Sequence, residues 1–118
     1  MAHPEQGDKI MMFKEPWMDL ILRNPSPKTL EIRSRCLQPG TYWMGMRKAI
    51  HGKIVLGRAF EIADLETWAR LRSRHCVESI AMPYKRTWAL PILEAKCLKK
   101  KIPFTHPQGA VSIVRYKK

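Results

Sequence analysis

Carboxylates are scarce in this sequence: 10 Asp and Glu stand against 22 Lys and Arg, a formal net charge of +12 on 118 residues. Such a surplus repels itself within one small domain. A polyanionic partner would offset it, with RNA or DNA ahead of an anionic membrane. Long apolar runs are missing too. No stretch approaches the roughly 18 residues of a membrane-crossing helix, and Met1 to Lys9 lacks the apolar segment of a secretory signal. Cysteine is sparse and odd in number, with Cys36, Cys76 and Cys97 far apart. That argues against a disulfide framework and for a reducing compartment, so an intracellular location, cytoplasmic or nuclear, is expected. There is no C-x-x-C, and neither His75–Cys76 nor Cys97–His106 has zinc-ligand spacing, so no metal is expected. Glycine-rich phosphate loops and the G-x-S-x-G elbow of a serine hydrolase are absent as well, and no cofactor is expected.

What is present reads as one domain. Residues 1–9 are polar and are expected to form a disordered leader, residues 10–116 the domain, and residues 117–118 a basic tail. Ile10–Phe13 is a short apolar strand. Pro16 suits a helix start, and Trp17, Leu20 and Ile21 recur at helical spacing, which predicts that they share a buried face. Asn24-Pro25-Ser26-Pro27 ends that helix. From Lys28 to Arg33 the residues alternate, with Leu30 and Ile32 facing inward and Thr29, Glu31 and Arg33 outward on a charged face. Pro39-Gly40 is a turn, and Thr41–Met46 is a strand. His51-Gly52 is read as a hairpin turn before a strand from Lys53 to Ile62, with Gly57 as a bulge. Asp64 can cap a second helix with Leu65, Trp68 and Leu71 as its apolar stripe. Thr87–Leu90 is a strand ended by Pro91, Leu93–Leu98 another, and Val111, Ile113 and Val114 a last one. Six or seven short strands and two short helices are too few helices to cover a parallel sheet. They predict an α+β, mostly β fold: a small, mainly antiparallel barrel with two flanking helices.

At Lys28-Thr29-Leu30-Glu31-Ile32-Arg33 the chain resembles the ASCH domain, the activating-signal-cointegrator homology domain of the PUA-like superfamily. The family pattern is a strand, a proline-led helix, and then G-x-K-x-x-E-x-R. Pro16-Trp17, Lys28, Glu31 and Arg33 match it, while the family's glycine falls at Ser26. The Pro39-Gly40 turn, the Lys53–Ile62 strand, Lys101-Ile102-Pro103 and Gly109 follow in the family's order, so the resemblance spans roughly residues 10–116. It implies a PUA-like pseudobarrel whose motif lines a cleft that binds RNA or a nucleotide.

Lys28, Glu31 and Arg33 are therefore the candidate nucleic-acid site. Lys28 and Arg33 would hold phosphate or a base edge, and Glu31 would orient them. Trp17 and Tyr42 are expected near the motif as stacking platforms, whereas Trp68 and Trp88 read as core. Lys99, Lys100 and Lys101 would add phosphate contacts. His106, next to the Gly109 loop, is a further candidate for the cleft lining, and Cys36 is expected to be a buried thiol. RNA is the expected partner ahead of DNA. The alternatives are a ribonuclease or an amidohydrolase on a modified nucleoside, and a coactivator-type protein-interaction domain. For catalysis the candidates are Lys28, Glu31 and Tyr42, with Ser34 as a hydroxyl and Glu61 or Glu78 as a distant carboxylate. In the amidohydrolase branch that the resemblance suggests, a threonine stands where this chain has Glu31. A carboxylate does not replace a hydroxyl nucleophile there.

Overall fold

The structure, a computed structural model, describes residues 3–106 and 112–117. Seven strands and three short helices follow in the order β1 (Lys9–Met12), α1 (Trp17–Leu22), β2 (Leu30–Arg33), β3 (Gly40–Met46), β4 (Ala49–Leu56), β5 (Phe60–Ile62), α2 (Leu65–Arg70), α3 (Arg72–His75), β6 (Thr87–Pro103) and β7 (Ile113–Arg115). The sheet runs β2-β6-β4-β3-β1-β7, with β5 also pairing β6. All pairs are antiparallel except β1 with β3. The sheet curls into a half-barrel, the mostly β pseudobarrel expected, with three helices rather than two.

β6 holds the fold together. The expected break at Pro91 does not occur: one strand runs from Thr87 to Pro103. Its first part pairs with β2 and β5, and its remainder with β4. Pro91 sits where the strand passes from one partner to the other, so its missing N–H removes little from either ladder. Its carbonyl accepts the Gly57 N–H at 2.8 Å, and Ile92 N–H donates to Thr29 O at 2.9 Å. Gly57 accordingly lies just past β4 rather than on a bulge within one long strand.

The β3–β4 hairpin also differs from expectation. It turns at Arg47-Lys48, with φ of 53° and 66°, while His51 and Gly52 lie inside β4. Left-handed backbone favours Asn-Gly, and a larger side chain there costs about 1 kcal/mol per residue. Gly52 is needed for close approach instead. A Cβ there would stand 2.7 Å from the Lys96 carbonyl oxygen and 2.9 Å from Leu22 Cδ2.

Three apolar clusters fill the half-barrel. Met18 and Ile21 of α1 pack with Met11, Phe13, Tyr42, Met44, Ile54, Leu56 and Leu90. The predicted face shifts by a residue, because Met18 and Ile21 are buried and Trp17 and Leu20 are only half-buried. Ile10, Trp43, Ile50, Phe104, Val114 and Tyr116 form a second cluster. The third joins Leu30, Ile32, Ile62 and Ala89 to Trp68 of α2. Asp64 caps α2 as expected, its Oδ1 accepting Thr67 N–H at 2.7 Å, but Leu65 points outward and is 55% exposed. Gly7, Asp8 and Lys9, expected within the polar leader, are bonded to the sheet or to residues beside it. Lys9 opens β1, Gly7 N–H donates to Tyr116 O at 2.8 Å, and Asp8 Oδ2 accepts Trp43 Nε1–H at 3.0 Å. Val111 and Gly109 lie outside the described residues. Among those described, no helix is long and apolar enough to cross a membrane.

Candidate nucleic-acid interface

The K-x-x-E-x-R strand is not a solvated ladder. Lys28 is 1% exposed and Glu31 4%, so the face expected to carry charge into water is the floor of a cleft. Both faces of β2 are buried: Leu30 and Ile32 pack with Trp68 of α2, Leu71 and Val77, while on the other face Glu31 stands opposite Leu90 of β6 and Arg33 lies over Phe13. Thr29 N–H donates to Arg74 O at 2.8 Å, and Arg74 Nε–H donates to Thr29 Oγ1 at 3.1 Å. These bonds engage the Thr29 hydroxyl with α3, and Thr29 does not line the cleft.

Glu31 couples the two cations. Its Oε2 accepts Arg33 Nε–H at 2.7 Å, and its Oε1 lies 3.7 Å from Lys28 Nζ. Arg33 is held twice more, with Nη2–H donating to Met12 O at 2.7 Å and Nη1–H to Ser112 Oγ at 3.4 Å. It lies over the Phe13 ring, 4.9 Å from the centroid. Lys28 Nζ donates to the His75 carbonyl and stands 4.7 Å from the centroid of Trp17. Burial holds the Lys28 amine below its ordinary pKa, and the Glu31 carboxylate opposes part of that shift.

His75, which nothing in its sequence surroundings singles out, anchors this arrangement from behind. Its ring stacks on Trp68 with centroids 3.9 Å apart. Val77 N–H donates to Nδ1 at 2.9 Å, so Nδ1 carries no proton and Nε2–H donates to Trp68 O, also at 2.9 Å. Burial keeps this imidazole below its usual pKa, with Lys28 and Arg72 adding to the effect and the Trp68 carbonyl opposing it.

Above the floor lies a cleft of about 560 Å³. One wall is Phe13, Lys14 and Trp17; the other is Val77, Pro83 and Tyr84; Ser34 and Ser112 stand at the rim. Tyr84 is 42% exposed, an open aromatic edge on a chain with few exposed large rings. Of the sequence-predicted site residues, Lys28, Glu31, Arg33 and Trp17 meet here, as does Ser34. Tyr42 does not: it is buried in the core, its hydroxyl donates to Gln38 O at 2.7 Å, and Lys9 Nζ lies 4.5 Å from its ring. Lys99, Lys100 and Lys101 are exposed on β6, away from the cleft lining. Glu61 is paired with Arg86 at 2.8 Å, and Glu78 is exposed, so neither supplies the floor with a second carboxylate. His106 stacks on Phe104, ring centroids 6.1 Å apart. Cys36 is exposed rather than buried. Among the described residues, no three His, Cys, Asp or Glu side chains come together to hold a metal ion.

No family model matches the chain, and no curated protein matches it. Solved structures do. The crystal structure of ASCH from Zymomonas mobilis is 16% identical, with a TM-score of 0.68 over 97% of this chain and 90% of that one. A serine-to-alanine variant of the Zymomonas mobilis protein gives a TM-score of 0.67 at 16% identity, over 98% of this chain and 92% of that one. A tyrosine-to-phenylalanine variant gives 0.68, also at 16% identity, over 96% and 92%. The chain has the ASCH-domain fold.

Proposed function

We propose that this chain is a nucleic-acid-binding domain that takes an unpaired nucleotide of RNA, in preference to DNA, into the cleft beside β2. The observation that carries this reading is the pairing of a charge-compensated polar floor with two aromatic walls, in a protein with a +12 surplus. An unpaired base offers two π-faces and a hydrogen-bonding edge. Trp17 and Tyr84 suit the faces, and the floor suits the edge. Lys28 and Arg33 act differently from simple phosphate clamps. Both are committed to Glu31 and to backbone carbonyls, so they present fixed N–H directions rather than mobile charges. Lys14 at the mouth supplies the mobile cation for the backbone. The preference for RNA rests on this mode, since sequence-specific recognition of single-stranded RNA uses splayed bases stacked on aromatic side chains.

Tyr84→Ala tests the reading. The side chain is exposed enough that stability should change by less than about 0.5 kcal/mol, while affinity for single-stranded RNA should fall by about 1–3 kcal/mol. Equal affinity for RNA before and after the change, in a protein of unchanged stability, would reject the cleft as the site.

A further inference from the structure

The charges of this chain are segregated. No Asp or Glu occurs between Ile32 and Phe60 or after Glu94, yet those two stretches hold 13 of the 22 Lys and Arg. The fold brings them together: β3, β4 and the second half of β6 are neighbours in the sheet. Elsewhere three exposed cations have carboxylate partners: Arg23 with Asp19, Arg70 with Glu66, and Arg86 with Glu61. The β3–β4–β6 ribbon has no such pairs among the described residues.

Two local features place cations outward on this ribbon. Ile50 pairs with Ile102 and Gly52 with Cys97, so four residues of β6 lie opposite His51 alone. The extra residues include Lys99, Lys100 and Lys101, all exposed. At the hairpin tip, Arg47 and Lys48 occupy two successive left-handed positions that favour Asn-Gly. The hairpin thus carries two exposed charges where its own backbone preference would place neither. Turn and bulge adjoin, because Phe104 N–H donates to Lys48 O at 3.0 Å. The turn also adjoins the cleft wall, because Phe13 N–H donates to the Gly45 carbonyl at 2.8 Å.

We infer that Arg47, Lys48 and the Lys99–Lys101 bulge form a second, sequence-independent surface that holds the phosphate backbone of a single RNA strand continuing out of the cleft. The inference rests on the proposed cleft function and extends it: the cleft takes one nucleotide, and the ribbon takes several phosphates beyond it. Binding of this kind is read through its salt dependence, since each neutralised phosphate of a single strand contributes about 0.7 to the slope of log affinity against log salt.

The test compares a 12-nucleotide RNA with a trinucleotide. A ribbon variant carries Arg47→Asn, Lys48→Gly and Lys100→Gln; a control variant removes equal charge from the helical side with Arg23→Gln, Arg70→Gln and Arg72→Gln. The ribbon variant should lose roughly tenfold in affinity for the 12-mer near 0.1 M salt and flatten its slope by about 2. Its trinucleotide affinity should stay within about twofold, and its urea midpoint should hold or rise, because Asn-Gly relieves the turn. The control should change the slope by much less. Equal effects of the two variants would overturn the inference, leaving only diffuse charge. A polyglutamate peptide bound as tightly, with the same dependence on the ribbon, would overturn it in favour of an acidic protein partner. Ribbon-specific loss on the 12-mer without any trinucleotide binding would support the ribbon while removing the cleft reading.

Discussion

Arg33 Nε–H donates to Glu31 Oε2 at 2.7 Å, and among the described residues the same carboxylate is the one acidic side chain paired with the buried Lys28. One anion thus offsets two cations in the floor of the cleft. An unequal response to substitution follows. Glu31→Gln leaves Lys28 and Arg33 charged and without their counter-ion, and should destabilise the fold by about 3 kcal/mol. Lys28→Met removes a desolvated charge and leaves the Glu31–Arg33 pair intact, so it should cost at least about 1 kcal/mol less. Urea denaturation of the two variants checks this. A larger loss for Lys28→Met would mean that the amine, not the carboxylate, is the keystone.

The pH dependence should carry the signature of His75. Its pKa in the folded protein is lowered from 6.5 by burial. Between the two values the unfolded chain binds more protons than the folded one. Stability therefore falls as pH drops below about 6.5, by up to about 1.4 kcal/mol per pH unit until the folded form also protonates, and is flat in this contribution above 6.5. Protonation would place a second hydrogen against the Val77 N–H, which now donates to Nδ1. His75→Gln should be less stable at pH 7.5 through loss of the Trp68 stack, yet show a shallower decline between pH 6.5 and 5. Parallel declines in both proteins would assign the acid sensitivity to other groups.

Gly52→Ala distinguishes a turn glycine from a close-approach glycine. With a backbone oxygen 2.7 Å from the new Cβ, β4 and β6 must separate, and the change should cost about 1–3 kcal/mol. In a turn, the same change would cost little. A thermal or urea midpoint within error of the parent would contradict the register of Gly52 opposite Cys97.

Local chemistry was legible where one residue decides the outcome. Asp64 caps α2 because its carboxylate reaches Thr67 N–H, and Glu31 and Arg33 meet because β2 places alternate side chains on one face, with Lys28 reaching Glu31 from just before the strand. Long-range packing was not. The alternation in β2 pointed to a wet face, but Phe13 and Trp17 from before it, and Val77 and Tyr84 from more than 40 residues after it, wall it into a cleft. Tyr42 stands in a strand whose alternation does not tell core from cleft, and its ring fell to the core side. Pro91 broke no strand, because the fold changes pairing partners at that residue. The hairpin was misplaced because His51-Gly52 carries turn chemistry while Arg47-Lys48, which makes the turn, does not. That last mismatch is the local conflict from which the role of the ribbon is inferred.

The most direct test of the account is a salt titration of a fluorescent 12-nucleotide single-stranded RNA against the full chain, followed by anisotropy, with single-stranded DNA and duplex RNA of the same length beside it. If about four phosphates are neutralised, log affinity for the single strand should fall with log salt at a slope near −3. Single-stranded RNA should bind more tightly than either competitor, and Arg33→Lys should not retain the parent affinity, because an ammonium cannot hold Glu31 and Met12 O together. No measurable binding at low salt, or duplex RNA binding as tightly as the single strand, would contradict it.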